Sequence, residues 1–149
     1  MTDRFEDSIE ILLVEDNPGD VRLTQEAFKE LSTDVRIRVA TDGETALEKL
    51  GLRNGTDPGS LPDLVLLDLN LPRTNGFEFL ETVRAEPVLT RLPVLVLTSS
   101  NAHEDILESY ELAANAYLTK PTGPDEYSAM VRAVVEFWFE QVTLPPAKT

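Results

Sequence analysis

The chain has 149 residues, 42% of them hydrophobic and 27% charged, and this length and balance predict a single globular domain with an enclosed core. The absence of cysteine excludes disulfides, zinc–thiolate sites and cysteine nucleophiles. A formal net charge of -14 repels phosphate backbones and argues against nucleic-acid binding.

Strand and helix patterns alternate along the chain. The predicted elements are, in chain order, strand Ile9–Glu15, a helix from Asn17, strand Val35–Thr41, a short helix over "GETALEKL", strand Leu64–Asp68, a helix over "GFEFLETVRAE", strand Pro93–Ser99, a helix over "EDILESYELAA", strand Ala116–Lys120 and a helix from about Pro124 to Val142. Four strands are expected to be buried, and three of these are near-continuous apolar runs, as is typical of a parallel sheet with helices on both faces. Segment Val35–Thr41 alternates apolar and basic residues, which predicts an edge strand. Five alternating strands and helices predict one doubly wound α/β domain.

Each buried strand ends in residues that can do chemistry. In an open parallel sheet, ligands bind at the carboxyl ends of the strands, so we expect these residues to form one site. A single Asp after a strand often only begins a turn, and the prediction therefore depends on the whole set. The set is Glu15 and Asp16, Asp68, Thr98 and Ser99, and Lys120.

The residue types in this set limit its chemistry. Three neighbouring carboxylates repel one another unless a cation lies among them. The chain has no cysteine and a single histidine, His103, which we expect on the surface before the fourth helix. Oxygen ligands therefore dominate and favour Mg²⁺, or Mn²⁺, over zinc. Asp68 can then attack phosphorus and form an aspartyl phosphate, with Lys120 as a further positive charge for the phosphate.

Four motifs resemble the receiver domain of two-component response regulators, over roughly residues 9–142. They are "LLVEDN", "LLDLNLPRTNG", "LVLTSS" and "AYLTKP", in that order, and the intervals from Asp68 to Thr98 and from Thr98 to Lys120 match that family. The resemblance implies the flavodoxin-like strand order 2-1-3-4-5. It also implies a signalling protein rather than an enzyme, limited to self-phosphorylation from small donors and slow self-dephosphorylation.

The same resemblance implies the roles of the acidic residues and their neighbours. Asp68 would be the phosphoacceptor, and it would bind Mg²⁺ together with Glu15 and Asp16. The backbone carbonyl of Asn70 would complete the protein's share of the metal ligands. Asn70 and Ser100 would tune the rate at which water hydrolyses the acyl phosphate.

For the phosphoryl group itself, the resemblance implies contacts from Thr98, Ser99 and Lys120. Tyr117 would be the aromatic switch that moves inward as Thr98 turns toward the phosphate. Pro121 is typical of the family, in which the bond before it is often cis.

A narrower resemblance concerns partners. The loop "LRNGTDPGSLP", the segment "SYELAANAYLTK" and the terminal "EFWFEQVTLPP" are most similar to single-domain response regulators that partner phytochrome-type histidine kinases in cyanobacteria and other bacteria. The phosphoryl donor implied is a phosphohistidine on such a sensor kinase. In receivers the face of helix four, strand five and helix five commonly forms a symmetric dimer. We expect a homodimer there, with Phe137, Trp138 and Phe139 near the contact, although a wide buried helix face would also explain these aromatics.

The boundaries expected from these patterns are an N-terminal tail over residues 1–8, a receiver over 9–142 and a C-terminal tail over 143–149. The acidic N-terminus has no apolar core of a secretory signal, and no apolar run is long enough to span a membrane. We therefore expect a cytoplasmic protein without membrane contact or a DNA-binding output domain.

Two other functions are compatible with parts of the pattern. An Asp-nucleophile phosphatase of the haloacid dehalogenase type would need a second Asp two residues after the nucleophile, where this chain has Asn70. It would also have its nucleophile near the N-terminus, whereas Asp68 lies in the middle of this chain. A phosphorylation-independent binding module on the receiver scaffold usually lacks some of the acidic pair, the phosphoacceptor or the lysine, and this chain has them all.

Overall fold

The strand-forming runs pair into one parallel sheet in the computed structural model, which describes residues 9–52 and 61–141, with side chains as far as residue 138. Its strands are β1 (Ile9–Val14), β2 (Val35–Ala40), β3 (Leu64–Leu67), β4 (Val94–Thr98) and β5 (Ala116–Thr119). Their order in the sheet is β2-β1-β3-β4-β5, which confirms the predicted topology. The tails predicted at residues 1–8 and 143–149, and most of the loop after the second helix, lie outside the described residues.

Five helices cover the sheet. They are α1 (Pro18–Lys29), α2 (Gly43–Lys49), α3 (Gly76–Ala85), α4 (His103–Glu111) and α5 (Pro124–Val135). Polar N-caps start the first three, since Asn17, Asp42 and Asn75 each accept a hydrogen bond from the backbone N–H three residues later. A short 3₁₀ turn, Pro87–Leu89, follows α3. From Glu136 to Gln141 the last helix widens into π-helical turns, so the predicted fifth helix changes character before its expected end.

Alternate residues of each central strand enter opposite core layers. Leu12 and Val14 face α2 and α3, whereas Ile11 and Leu13 face α1 and α5. Side chains of β3 and β4 alternate in the same way, which explains their near-continuous apolar sequences. The core thus holds the central strands rigidly on both faces, and their carboxyl ends are fixed in position.

Three details differ from the sequence expectations. The fifth strand was expected to be buried, but β5 is the edge strand opposite β2, and its residues are half-buried or exposed. His103 is exposed as expected, yet it is the first residue of α4 rather than part of the preceding loop. No cis peptide bond occurs among the described residues, so the bond between Lys120 and Pro121 is trans.

Within the ranges 9–52 and 61–141, none of the helices combines the length and the apolar character that crossing a membrane requires.

Candidate functional site

The ends of β1 and β3 bring three carboxylates together. These strands are neighbours, with Val14 paired to Leu67, so that Glu15 and Asp68 follow them side by side. Ligand oxygens of Glu15, Asp16 and Asp68 all lie within 4.8 Å of one another. The first and last of these residues are buried, whereas Asp16 is exposed, and the cluster is therefore open to solvent at one side.

The ammonium of Lys120 lies against this cluster. Its Nζ atom is 2.8 Å from Oε1 of Glu15 and 3.2 Å from Oδ2 of Asp68. The backbone N–H of Lys120 donates to the carbonyl of Thr98 at 2.8 Å, which extends the pairing of β4 and β5 by one residue. The strand register thus places the lysine beside the carboxylates, and only 10% of its side chain is exposed.

Burial and crowding of charge shift the protonation of both partners. Burial raises the pKa of Glu15 to about 7 against the opposing hydrogen bond from Lys120, and the charge of Asp68 adds to the rise. Burial alone would lower the pKa of Lys120. Its hydrogen bonds to Asp20 and Glu15, together with the nearby carboxylate charges, outweigh burial and raise that pKa above its ordinary value. The lysine therefore stays charged, and the carboxylates around it outnumber this single positive charge.

The donor set fits a hard divalent cation. Backbone N–H groups orient two of the carboxylates, because Asn17 donates to Oε2 of Glu15 at 3.1 Å and Asn70 donates to Oδ1 of Asp68 at 3.3 Å. All three clustered side chains offer oxygen, and neither cysteine nor the exposed His103 contributes. Convergent carboxylates without nitrogen or sulfur suit Mg²⁺ or Mn²⁺.

The hydroxyl residues after β4 take up distinct positions. Thr98 is fully buried beside the site, and Ser99 is exposed. Ser100 donates from its hydroxyl to Oδ2 of Asp105 at 2.6 Å, so this side chain holds the start of α4. The phenol of Tyr117 donates to the carbonyl oxygen of Ser100 at 2.8 Å and packs against the core layer of α2 and α3.

The aromatic residues after α5 separate into different environments. Phe137 is 52% exposed, whereas Trp138 packs against the core layer of α1 and α5. Their rings form an edge-to-face pair with centroids 5.6 Å apart. The side chain of Phe139 lies outside the described residues.

Two features of the structure were absent from the sequence analysis. Oδ2 of Asp20 lies 2.7 Å from Nζ of Lys120, closer than either predicted carboxylate. On α4, Leu107 and Tyr110 are about half exposed and lie on neighbouring turns. The three-residue spacing of the apolar pair could have revealed the second feature. In the sequence, Asp20 is indistinguishable from an ordinary acidic residue in the first turn of a helix.

Many proteins share a flavodoxin-like sheet, and the fold alone does not define a function. Acidic residues after β1, an aspartate after β3, a threonine after β4 and a lysine after β5 together define the receiver class. The chain belongs to that class, since the family model described as response regulator receiver domain matches residues 11–132.

Among relatives, the chain is similar to the response regulator Rcp1 of Synechocystis sp., with 42% identity over 92% of this chain and 93% of that protein. A crystal structure of Rcp1 in its Mn²⁺-bound form superposes with a TM-score of 0.83 at 42% identity, covering 92% of this chain and 99% of that one. The structure of the phosphorylated cyanobacterial phytochrome response regulator RcpA superposes with a TM-score of 0.87 at 39% identity, covering 93% and 99%. The protein is therefore a response regulator related to phytochrome response regulators.

Proposed function

We propose that this response regulator accepts a phosphoryl group on Asp68 from the phosphohistidine of a sensor histidine kinase, in a reaction that depends on Mg²⁺. The observation that carries the proposal is the position of Asp68. It follows the central strand, lies beside Glu15 and Asp16, and has the ammonium of Lys120 3.2 Å from Oδ2.

In the proposed step, a carboxylate oxygen of Asp68 attacks phosphorus. The bond between phosphorus and the donor's imidazole nitrogen breaks, that nitrogen retains the electron pair and takes up a proton, and an acyl phosphate forms. Glu15, Asp16, Asp68 and the backbone carbonyl of Asn70 would hold the cation. When bound, Mg²⁺ or Mn²⁺ neutralises the carboxylates and the phosphoryl oxygens.

Residues at the carboxyl ends of β4 and β5 would contact the transferred phosphoryl group. Thr98, Ser99 and Lys120 would contact the phosphoryl oxygens, and the buried position of Thr98 and the sheltered ammonium of Lys120 support this role. Tyr117 would change its position as Thr98 turns toward the phosphate. Its hydrogen bond to the loop after β4 means that such a movement has to release that loop.

Hydrolysis returns the protein to its first state, when water attacks the acyl phosphate. Asn70 and Ser100 would influence this rate from the loops after β3 and β4. Asn70 is exposed and already contacts Asp68 through its backbone N–H. Ser100 would act indirectly, because its hydroxyl is engaged by Asp105. Apart from accepting the phosphoryl group of the kinase, the protein would catalyse only its own phosphorylation from small donors and its own slow dephosphorylation.

The partner kinase would be of the phytochrome type. This rests on similarity over 93% of the chain to the phytochrome response regulator RcpA. We further propose that phosphorylation changes a protein–protein contact on the face of α4, β5 and α5, including a homodimer. Exposed Leu107, Tyr110 and Phe137 support an apolar contact. The protein would be cytoplasmic, and its net charge of -14 argues against nucleic acid or an anionic membrane as partner.

Intact-mass spectrometry after incubation with Mg²⁺ and a small acyl-phosphate donor tests the proposal. We expect the wild type to gain one phosphoryl group and to lose this reaction when the metal is chelated. Asp68→Asn is expected to gain none. Asp34→Asn makes the same chemical change at the opposite edge of the sheet, just before β2, and is expected to behave as the wild type.

A second arm uses a phosphorylated histidine kinase of the phytochrome type as donor. Equal labelling of Asp68→Asn and the wild type would contradict the assignment of Asp68. A folded wild type that binds Mg²⁺ and is labelled by neither donor would contradict the phosphoacceptor function and support a phosphorylation-independent module.

A further inference from the structure

Asp20 is the third carboxylate at Lys120, and it has no place in the proposed metal or phosphoryl contacts. Its Oδ2 atom lies 2.7 Å from Nζ, compared with 2.8 Å for Glu15 and 3.2 Å for Asp68. It comes from the first turn of α1, where the N-cap Asn17 accepts its backbone N–H at 3.0 Å and fixes its position. The side chain of Asp20 is 26% exposed, so the pair is largely sheltered from solvent.

The other two carboxylates at Lys120 have a competing partner. Glu15 and Asp68 belong to the cluster that fits a divalent cation, and a cation there compensates their charge. Asp20 lies outside that cluster, so a cation bound there would leave the ion pair between Asp20 and Lys120 in place. A phosphoryl group on Asp68 therefore has to compete chiefly with Asp20 for Lys120.

A buried phenol lies behind this ion pair. Tyr127, in the first turn of α5, is 1% exposed, and within the described part of the chain its hydroxyl makes no hydrogen bond of ordinary length. The carboxylate of Asp20 lies near enough to act on it as a longer, weaker acceptor. Asp20, Lys120 and Glu15 are its charged neighbours. Burial, followed by the charge of Asp20, raises the pKa of Tyr127 to about 12, so the hydroxyl keeps its proton and can donate it in a hydrogen bond. A buried hydroxyl without a partner is unfavourable, and a nearby acceptor would relieve this.

We propose that Asp20 is a positioning residue that holds Lys120 in the unphosphorylated protein, and that Tyr127 donates to Asp20 when Lys120 turns to the phosphoryl group. This inference rests on the proposed function. The ammonium exchanges one carboxylate for a more highly charged anion, and the carboxylate left behind gains a neutral donor. The exchange extends the effect of phosphorylation from β5 to the first turns of α1 and α5.

Beryllofluoride, an analogue of the phosphoryl group, tests the exchange in the wild-type and variant chains at saturating Mg²⁺. Asp20→Asn removes the charge that retains Lys120 and repels the analogue, so we expect it to bind the analogue about three- to tenfold more tightly. Asp20→Glu restores the charge and should return the affinity toward that of the wild type. Glu26→Gln removes a charge from an exposed position of α1, paired only weakly with Lys29 at 3.9 Å, and should change nothing.

The side-chain ammonium signal of Lys120 in ¹⁵N-edited NMR provides a readout that a general loss of stability would not produce. In the Mg²⁺-bound protein without the analogue, this signal should move in Asp20→Asn and stay in place in Glu26→Gln. Thermal unfolding checks that each variant is folded. An unchanged or weaker affinity of Asp20→Asn for the analogue would overturn the positioning role of Asp20.

Tyr127→Phe tests the second half of the exchange. The hydroxyl makes no hydrogen bond of ordinary length in the unphosphorylated structure, so its removal should change stability little while weakening analogue binding about threefold. Unchanged binding would overturn the role of Tyr127. Failure of the wild type to bind the analogue, or equal binding by Asp68→Asn, would instead contradict the proposed function. In that case the affinity of the Asp20 variants for the analogue would not report on Lys120, and the roles inferred for Asp20 and Tyr127 would be rejected together with the proposed function.

Discussion

The phenol of Tyr117 donates a hydrogen bond to the carbonyl oxygen of Ser100, 2.8 Å away. This bond ties the edge strand β5 to the loop between β4 and α4. The same loop is closed by Ser100, whose hydroxyl donates to Asp105 at 2.6 Å and accepts from the backbone N–H of Ala102 at 3.2 Å. The ring of Tyr117 and the conformation of this loop are therefore coupled in the unphosphorylated protein.

Tyr117→Phe should loosen the loop without disturbing the core. The phenylalanine keeps the packing and loses one hydrogen bond, so we expect a cost of roughly 0.5–1.5 kcal/mol in the free energy of unfolding. Hydrogen exchange should be faster at the amides of residues 100–102. Tyr110→Phe is the matched control, because its hydroxyl is removed from a side chain that is 50% exposed on α4. Equal protection of the loop in both variants would contradict the coupling.

The start of α2 supports the loop that follows Asp68. A Cβ atom at Gly43 would overlap the backbone carbonyl oxygen of Thr74, far inside van der Waals contact. The hydroxyl of Thr74 also donates to Oε1 of Glu44 at 3.1 Å. This close approach of the two backbones fixes the loop that contains Asn70.

Gly43→Ala should therefore displace that loop. We expect a loss of about 1–3 kcal/mol in the free energy of unfolding and a weaker affinity for Mg²⁺, measured by calorimetry. The control is Gly123→Ala, because there the new Cβ meets only the flexible end of Glu126, at 2.8 Å. That variant should keep the Mg²⁺ affinity of the wild type. Unaltered Mg²⁺ affinity in folded Gly43→Ala would show that the loop does not contribute to the metal site.

The fold was predictable because each element repeats its signal over several residues. Near-continuous apolar runs identified the central strands, and alternation identified β2 as an edge. Parallel strands end at the same edge of a sheet, so the meeting of Asp68 and Lys120 also followed from strand assignments. The burial of β5 was predicted wrongly, since a short apolar segment has the same pattern at an edge as in the centre.

Contacts between elements that are distant in sequence could not be predicted in this way. Asp20 and Lys120 are separated by 100 positions, and they meet only because α1 packs beside the carboxyl end of the sheet. The π-helical turns that begin at Glu136 could not be predicted either, because the apolar stripe of α5 continues through them in the sequence. Side-chain direction at helix starts and ends depends on caps and packing, and it is seen only in the folded structure.

The N-cap Asp42 gives a prediction for pH dependence. Its carboxylate accepts the backbone N–H of Thr45 at 2.7 Å, and this bond is the main reason that the pKa of Asp42 lies below its ordinary value. Because the pKa is lower in the folded state than in the unfolded state, the contribution to stability is present above the unfolded pKa, about 4. It is lost as the pH falls through the folded value.

The free energy of unfolding of the wild type and Asp42→Asn should thus differ by a constant amount from pH 7 to about pH 5. The difference should shrink as the pH is lowered below about 4. Asp42→Ala, which also removes the cap, should cost about 1 kcal/mol at neutral pH. Denaturant titrations over this range measure both effects, with Asp34→Asn as the control for loss of a surface charge. A difference that grows on acidification would contradict the sign.

Phe137 gives a prediction for assembly. It is 52% exposed and stacks edge-to-face on Trp138, which itself packs against the core. Exposed aromatic surface of this kind commonly anchors protein–protein contacts. Sedimentation at micromolar concentration should therefore show a wild-type dimer, and Phe137→Ala should weaken it about tenfold or more. Val88→Ala, at a side chain that is 74% exposed in the turn after α3, should leave the dimer intact. A wild type that stays monomeric with and without phosphorylation would contradict the predicted homodimer.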